Sequence, residues 1–186
     1  MGDSSRKVFV SYAWGDESER IVNKLEAELG KAGIATVRDK NDLAYKKSIR
    51  EFMQRIGAGH AVVMVISDKY LRSAACMFEL VEVTKHGDVR DRIFPIVLDD
   101  ARKVYDPKAS IEYVEYWVKE IGELNAKVKA LPEISNLQHQ TEALNDYDEY
   151  RGRISNFTKL MDEMNALSVR IHEETGFAAL IKELRV

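Results

Sequence analysis

The sequence predicts a flavodoxin-like, three-layer α/β fold with an added C-terminal helical hairpin. Three observations lead there. Short apolar runs alternate with helical apolar stripes over the first hundred residues. The run Ala61-Val-Val-Met-Val-Ile66 is apolar at every position, as a central parallel strand covered on both faces requires. After residue 110 the strand signal gives way to two long stripes spaced by three and four residues. Alternating strand and helix implies right-handed crossovers and a parallel sheet, for which the order 2-1-3-4 is expected.

The first strand is Lys7-Val-Phe-Val-Ser-Tyr12, a buried run ending in polar residues. Asp16-Glu-Ser-Glu19 then predicts a helix start, with an acidic side chain capping free N–H groups. Ile21, Val22, Leu25 and Leu29 repeat at helical spacing, and Gly30 with Gly33 closes the element. Ile34-Ala-Thr-Val37 is the second strand, and residues 39–47 form a polar loop. Ile49, Phe52, Met53 and Ile56 are the stripe of a second helix, stopped by Gly57 and Gly59. After the 61–66 strand, a third helix carries Met77, Leu80, Val81 and Thr84 on one face. If that face meets the sheet, then Glu79, Val83 and His86 point elsewhere. Ile93-Phe-Pro-Ile-Val-Leu98 is the fourth strand. Pro95 cannot donate a ladder hydrogen bond, which places this strand at a sheet edge.

In the second half, Ile111, Val114, Val118, Ile121, Leu124 and Val128 mark a helix begun near Ser110, and Leu131-Pro132 interrupts the stripe. Leu144, Tyr147, Ile154, Phe157, Met161 and Met164 mark another. The two are expected to pack antiparallel as an αα-hairpin, with the methionines as core packing. Gly176-Phe177 precedes a last helix with Leu180, Ile181 and Leu184, and no fifth strand is expected. The organisation reads as one domain over 1–186: a sheet-forming core over 6–100 and a helical extension over 101–186.

Composition excludes several functions. Lys and Arg number 28 against 31 Asp and Glu, a net charge of −3, so nothing calls for a nucleic-acid or polyanion partner. The single cysteine, Cys76, excludes an internal disulfide and reads as a small buried hydrophobe. His60, His86, His139 and His172 are scattered without metal-ligand spacing. No apolar run reaches membrane-spanning length, and the N-terminus lacks a signal-peptide core. Arg6 stands where a myristoylation pattern needs Ser or Thr. The expectation is a soluble, cytoplasmic protein with neither nucleic-acid nor membrane partners. Gly57-Ala-Gly59 lies on the wrong side of a strand for a dinucleotide fingerprint. A phospho-receiver domain needs paired acids where Ser11-Tyr12 stand.

In an open parallel sheet, ligands bind beyond the carboxyl ends of the strands, where the winding reverses. That edge is expected to carry Ser11, Tyr12, Ala13 and Trp14 after the first strand, and Ser67 and Asp68 after the third. The 39–47 loop opens onto the same edge, and Glu79 reaches it from the first turns of its helix. A lone helical glutamate is ordinarily a solvated surface residue.

Several short pieces occur in a recognisable order: Val8-Phe-Val-Ser-Tyr12, Gly33-Ile34, Asp39 with Asp42-Leu43, Ser48-Ile49, Val65-Ile-Ser67 with Tyr70, Ser73, Cys76-Met-Phe-Glu79-Leu80 and Phe94-Pro-Ile-Val97. Together they resemble a Toll/interleukin-1 receptor (TIR) domain of the bacterial NAD⁺-cleaving type. The resemblance implies an NAD⁺ nucleosidase that breaks the nicotinamide–ribose bond, releasing nicotinamide and ADP-ribose or a cyclic ADP-ribose isomer. It implies Glu79 as the catalytic residue. Ser11, Tyr12, Ala13, Trp14, Asp39, Leu43, Tyr45, Ser48 and Cys76 would line the substrate. NAD⁺ would be the substrate, with no further cofactor and no metal. The resemblance also assigns self-association and gating of the cleft to the 39–47 loop. Its setting would be immune signalling or cell-suicide defence against viruses, with an activating or effector protein as a further partner. Two positions depart from the pattern: Ala75 stands where enzymatic relatives often have tryptophan, and Lys46 where a glycine is common. Trp14 or Tyr45 would then supply the aromatic surface. The alternative is a noncatalytic adaptor that acts by TIR–TIR association.

Overall fold

The computed structural model describes residues 8–38, 61–85, 90–131, 136–164 and 166–185. The expected 39–47 loop and the stripe of Ile49, Phe52, Met53 and Ile56 lie outside the described residues.

Four parallel strands form the sheet: β1 (Val8–Tyr12), β2 (Thr36–Arg38), β3 (Ala61–Ile66) and β4 (Ile93–Val97), in the order β2-β1-β3-β4. This is the expected winding. Pro95 stands opposite Met64 on β4, the last of the four strands, where its missing N–H breaks no ladder. One unexpected feature extends the sheet: a single parallel bridge joins Val97 to Ser168. One residue pair is too short to leave a period-two signal in sequence.

Side chains alternate across each strand and so divide the core in two. Val8, Val10 and Tyr12 of β1 face one side, with Val63 and Val65 of β3. There they meet Ile21, Val22, Leu25 and Leu29 of α1 (Asp16–Lys31). Beside α1 pack α6 (Val169–Glu174) and α7 (Ala178–Leu184), through Val169, Leu180 and Leu184. The opposite face presents Val62, Met64 and Ile66. It is covered by α2 (Asp68–Leu71), α3 (Ala74–Thr84) and a 3₁₀ helix (Asp99–Tyr105). Outside these lies the hairpin of α4 (Ile111–Lys129) and α5 (Gln138–Glu163), which joins the same core through Tyr113, Trp117, Tyr150, Ile154 and Phe157.

The caps of α1 correct one expectation and confirm another. Its N-cap is Gly15, with no side-chain hydrogen bond, so the acidic run occupies the first turn and does not cap it. Its C-terminus closes as a Schellman motif. The Ile34 N–H donates to Leu29 O at 2.9 Å and the Gly33 N–H to Gly30 O at 3.1 Å, with Gly33 at φ +77°. Gly33 alone is the stop, because Gly30 is an ordinary helical residue. A Cβ at either position meets nothing within 4 Å, so only backbone conformation separates them. Gly33→Ala is expected to destabilise by about 1 kcal/mol, and Gly30→Ala to stabilise by about 0.5–1 kcal/mol. Chemical denaturation midpoints of the two variants check this.

Candidate functional site

The strand ends at the centre of the sheet build the site. Tyr12 pairs with Val65 in register, so β1 and β3 finish side by side where the winding reverses. Strand alternation then separates two expected neighbours. Ser11 points toward α2 and α3, whereas Tyr12 points toward α1. On that other face the Arg38 guanidinium lies 5.8 Å from the centre of the Tyr12 ring. Arg38 is itself held by Glu26 at 2.6 Å and Asn23 at 2.8 Å, an anchor of β2 to α1. Ser11 and Tyr12 therefore do not share one surface.

Two serine caps position the groups facing Ser11. Ser67 caps α2, its Oγ accepting the Tyr70 N–H at 3.1 Å. The short helix thereby carries Tyr70 beneath β1, where the ring is fully buried. Ser73 caps α3, its Oγ accepting the Cys76 N–H at 3.4 Å. Cys76 and Glu79 are three residues apart and so occupy one face of that helix. Ser11 Oγ donates to Glu79 Oε2 and lies 2.8 Å from the Tyr70 hydroxyl. Burial, together with the nearby charges of Glu79 and Cys76, pushes the Tyr70 hydroxyl pKa well above the ordinary phenol value. The hydroxyl stays protonated and available as a donor.

Glu79 corrects the expectation drawn from its helix face. It is only 5 % exposed and points inward. Val83, also expected to face away, is buried as well. The reason is that α3 is enclosed on two sides, by α5 of the hairpin and by the sheet, and Glu79 lies on the sheet side, against Ser11 at the end of β1. Glu82 marks the same closure: it is buried and bound by Lys85 at 2.8 Å, which reaches Glu149 on α5 at 3.4 Å. Thr84, assigned to the apolar face, is half-buried and donates to Val81 O at 2.9 Å.

The other predicted residues divide by location. Ala13 is buried in the core on the Glu79 side, and Cys76 is a buried thiol. Trp14 is 53 % exposed at the strand edge, and its carbonyl accepts Lys69 Nζ from α2 at 2.5 Å. That bond joins the ends of β1 and β3. Asp39, Leu43, Tyr45 and Ser48 lie outside the described residues, as do His60 and His86. Asp68 belongs to a clamp. Arg72 bonds it at 2.9 Å, Lys103 at 3.0 Å and the Tyr113 hydroxyl at 3.2 Å, tying α2 to the 3₁₀ helix and α4. Burial works to raise its pKa, but the hydrogen bonds from Lys103 and Arg72 outweigh that and hold it below the ordinary carboxylate value. Tyr70 is the residue that sequence reasoning left without a role. The spacing Ser67-x-x-Tyr70 signals a cap, but not what lies above the capped residue.

Among the described residues no group of His, Cys, Asp and Glu is arranged to hold a metal. A cavity of about 660 Å³ lies between the 3₁₀ helix and the hairpin, lined by Val104, Ile111, Val114, Val118 and Ile154. It contains none of the predicted site residues. The carboxylate of Glu79 is the chemically capable group at the strand edge. Fixed by a hydroxyl in a water-poor setting, it can orient a ligand hydroxyl or stabilise positive charge.

The model of the TIR domain family matches residues 8–131. The chain belongs to the TIR domain family. Over 93 residues this TIR domain is 32 % identical to the disease resistance protein RUN1 of Vitis rotundifolia. That stretch covers 48 % of the chain and 7 % of the plant protein, so the chain spans a small fraction of that relative's length. Among solved structures, it superposes on the TIR domains of the activated Roq1 resistosome directly recognising the pathogen effector XopQ. The TM-score is 0.60 at 23 % identity, over 97 % of this chain and 99 % of the other. At that identity the likeness shows the fold: the four-stranded parallel sheet and its covering helices are a TIR architecture.

Proposed function

We propose that this TIR domain is a bacterial-type NAD⁺ nucleosidase, cleaving the nicotinamide–ribose bond with Glu79 as the catalytic carboxylate. The observation that carries the reading is Glu79 itself. It matches the glutamate of the motif, and it is held by a hydroxyl from the end of the central strand, at the edge where open parallel sheets take ligands. Nicotinamide leaves as a neutral molecule from a cationic ring, so no general acid is required. The transition state is oxocarbenium-like, and a carboxylate beside the ribose hydroxyls both orients the sugar and offsets the developing charge. Trp14, exposed at the same edge, offers a face for stacking on an aromatic ring of NAD⁺. Water capture of the intermediate gives ADP-ribose, and internal capture gives a cyclic isomer.

The 39–47 loop, assigned by resemblance, would complete or free the cleft as protomers associate. The resistosome neighbour is an activated assembly, which supports activation by self-association in immune signalling. A cytoplasmic setting suits NAD⁺ as substrate. None of the described helices is long and apolar enough to cross a membrane.

The test is incubation of the concentrated protein with NAD⁺ and chromatographic separation of products. Nicotinamide should appear with linear or cyclic ADP-ribose, and specific activity should rise more steeply than enzyme concentration. Intact NAD⁺ at every concentration, with a crowding agent included, would place the chain with noncatalytic adaptors.

A further inference from the structure

We propose that Tyr70 and Ser11 are positioning residues for Glu79, a chain of two hydroxyls that fixes Oε2 and with it the plane of the carboxylate. The inference rests on the reaction proposed above, but its central measurement does not require that reaction.

Counting protons sets the direction of the chain. An ionised carboxylate can only accept, and a serine hydroxyl has one proton to give. Ser11 spends that proton on Glu79 Oε2. Its oxygen, 2.8 Å from the Tyr70 hydroxyl, must therefore accept there, and Tyr70 must donate. The order Tyr70 → Ser11 → Glu79 is thus fixed whenever Glu79 is charged. Each donor polarises the next, so the bond reaching the carboxylate is stronger than one from an isolated serine. The placement is rigid as well as directed. Ser11 lies on a central strand paired on both sides, and Tyr70 lies in a helix capped by Ser67 and braced at Leu71 O by the Trp117 indole N–H at 3.0 Å.

Tyr70 has no exposed surface, so it cannot touch a substrate. A phenylalanine would fill the same space without burying a hydroxyl, which is costly unless it is bonded. The chemistry of the hydroxyl is directed at Ser11 and, through it, at Glu79. A carboxylate aimed in this way needs little reorganisation when positive charge develops at the ribose.

The experiment uses the whole chain and the variants Tyr70→Phe and Ser11→Ala, with thermal melting as a check of folding. Losing either donor should raise the Glu79 pKa, because the charged form loses hydrogen-bond stabilisation. For Tyr70→Phe, kcat should fall by about tenfold with KM unchanged, and the acid limb of the pH–rate profile should move up by about one pH unit. Ser11→Ala should show the larger change in both. The direct readout is the titration of ¹³C-labelled glutamate by NMR, with the Glu79 signal assigned from Glu79→Gln. An upward shift in Tyr70→Phe supports the chain. An unmoved Glu79 titration and pH limb would overturn it, even if kcat fell. A shifted titration in a chain that leaves NAD⁺ intact would uphold the hydroxyl chain and defeat the reaction assignment instead.

Discussion

Glu79→Gln is expected to slow NAD⁺ loss by about a hundredfold or more while leaving the protein folded. The substitution keeps the shape of the side chain and an oxygen that can accept the Ser11 hydroxyl. What it removes is the charge that would face the developing oxocarbenium ion. Because Glu79 is 5 % exposed, its charge is costly to bury, and a neutral amide avoids that cost. Glu79→Gln should therefore melt at or above the temperature of the parent chain. Glu79→Ala should differ, although a surface glutamate would tolerate it. It leaves the Ser11 hydroxyl without its acceptor in a closed site, a loss of about 1–3 kcal/mol. A loss of that size lowers the melting temperature by several degrees at about 2–4 °C per kcal/mol. Comparing rate and melting curve for both variants separates chemistry from packing. Full activity in Glu79→Gln would remove the carboxylate from the mechanism.

Trp117→Ala is expected to be the most damaging core substitution, at about 3–5 kcal/mol. The indole is 1 % exposed and lies about 5 Å from three tyrosines, with ring centroids 5.1 Å from each of Tyr116, Tyr147 and Tyr150. It is the centre of the contact between α4 and α5. Its N–H also donates to Leu71 O at 3.0 Å, so the hairpin braces the helix that carries Tyr70. Truncation removes the aromatic contacts, opens a cavity and orphans a buried carbonyl together. Trp117→Phe retains a ring but loses the hydrogen bond, and should cost about 1–3 kcal/mol. Urea denaturation measures both. A midpoint for Trp117→Ala close to that of the parent chain would show that the hairpin is not integral to the core.

Much of this architecture is local in origin and could be read from the chain. The apolar run 61–66 fits a strand covered on both faces, and it is the centre of the sheet beside β1. Pro95 excludes its strand from the interior, and β4 ends the strand order. The stripes from Ile111 and from Leu144 repeat at helical spacing, and α4 and α5 follow. These features follow because backbone period and apolar period must agree within one element. The bridge at Ser168 and the short α2 were not legible, since neither is long enough to impose a period.

The candidate site divides along the same line. By itself the sequence determined the order of the strands, the edge at which they end and the motif that places Glu79 on the helix after β3. Only the tertiary structure decided which way Glu79 faces and what it meets. Helical periodicity identifies the apolar face of α3, but it is silent on whether a second layer covers the other side. Here the face of α3 that carries Glu79 lies against the end of β1, so a glutamate that would be solvated on a simple amphipathic helix is enclosed. Once enclosed, its carboxylate needs hydrogen bonds, and Ser11, 68 residues away along the chain, donates one. Tyr70, brought beneath β1 by the Ser67 cap, completes that contact. Burial and hydrogen bonding between distant segments depend on how layers stack, a property that no local period encodes.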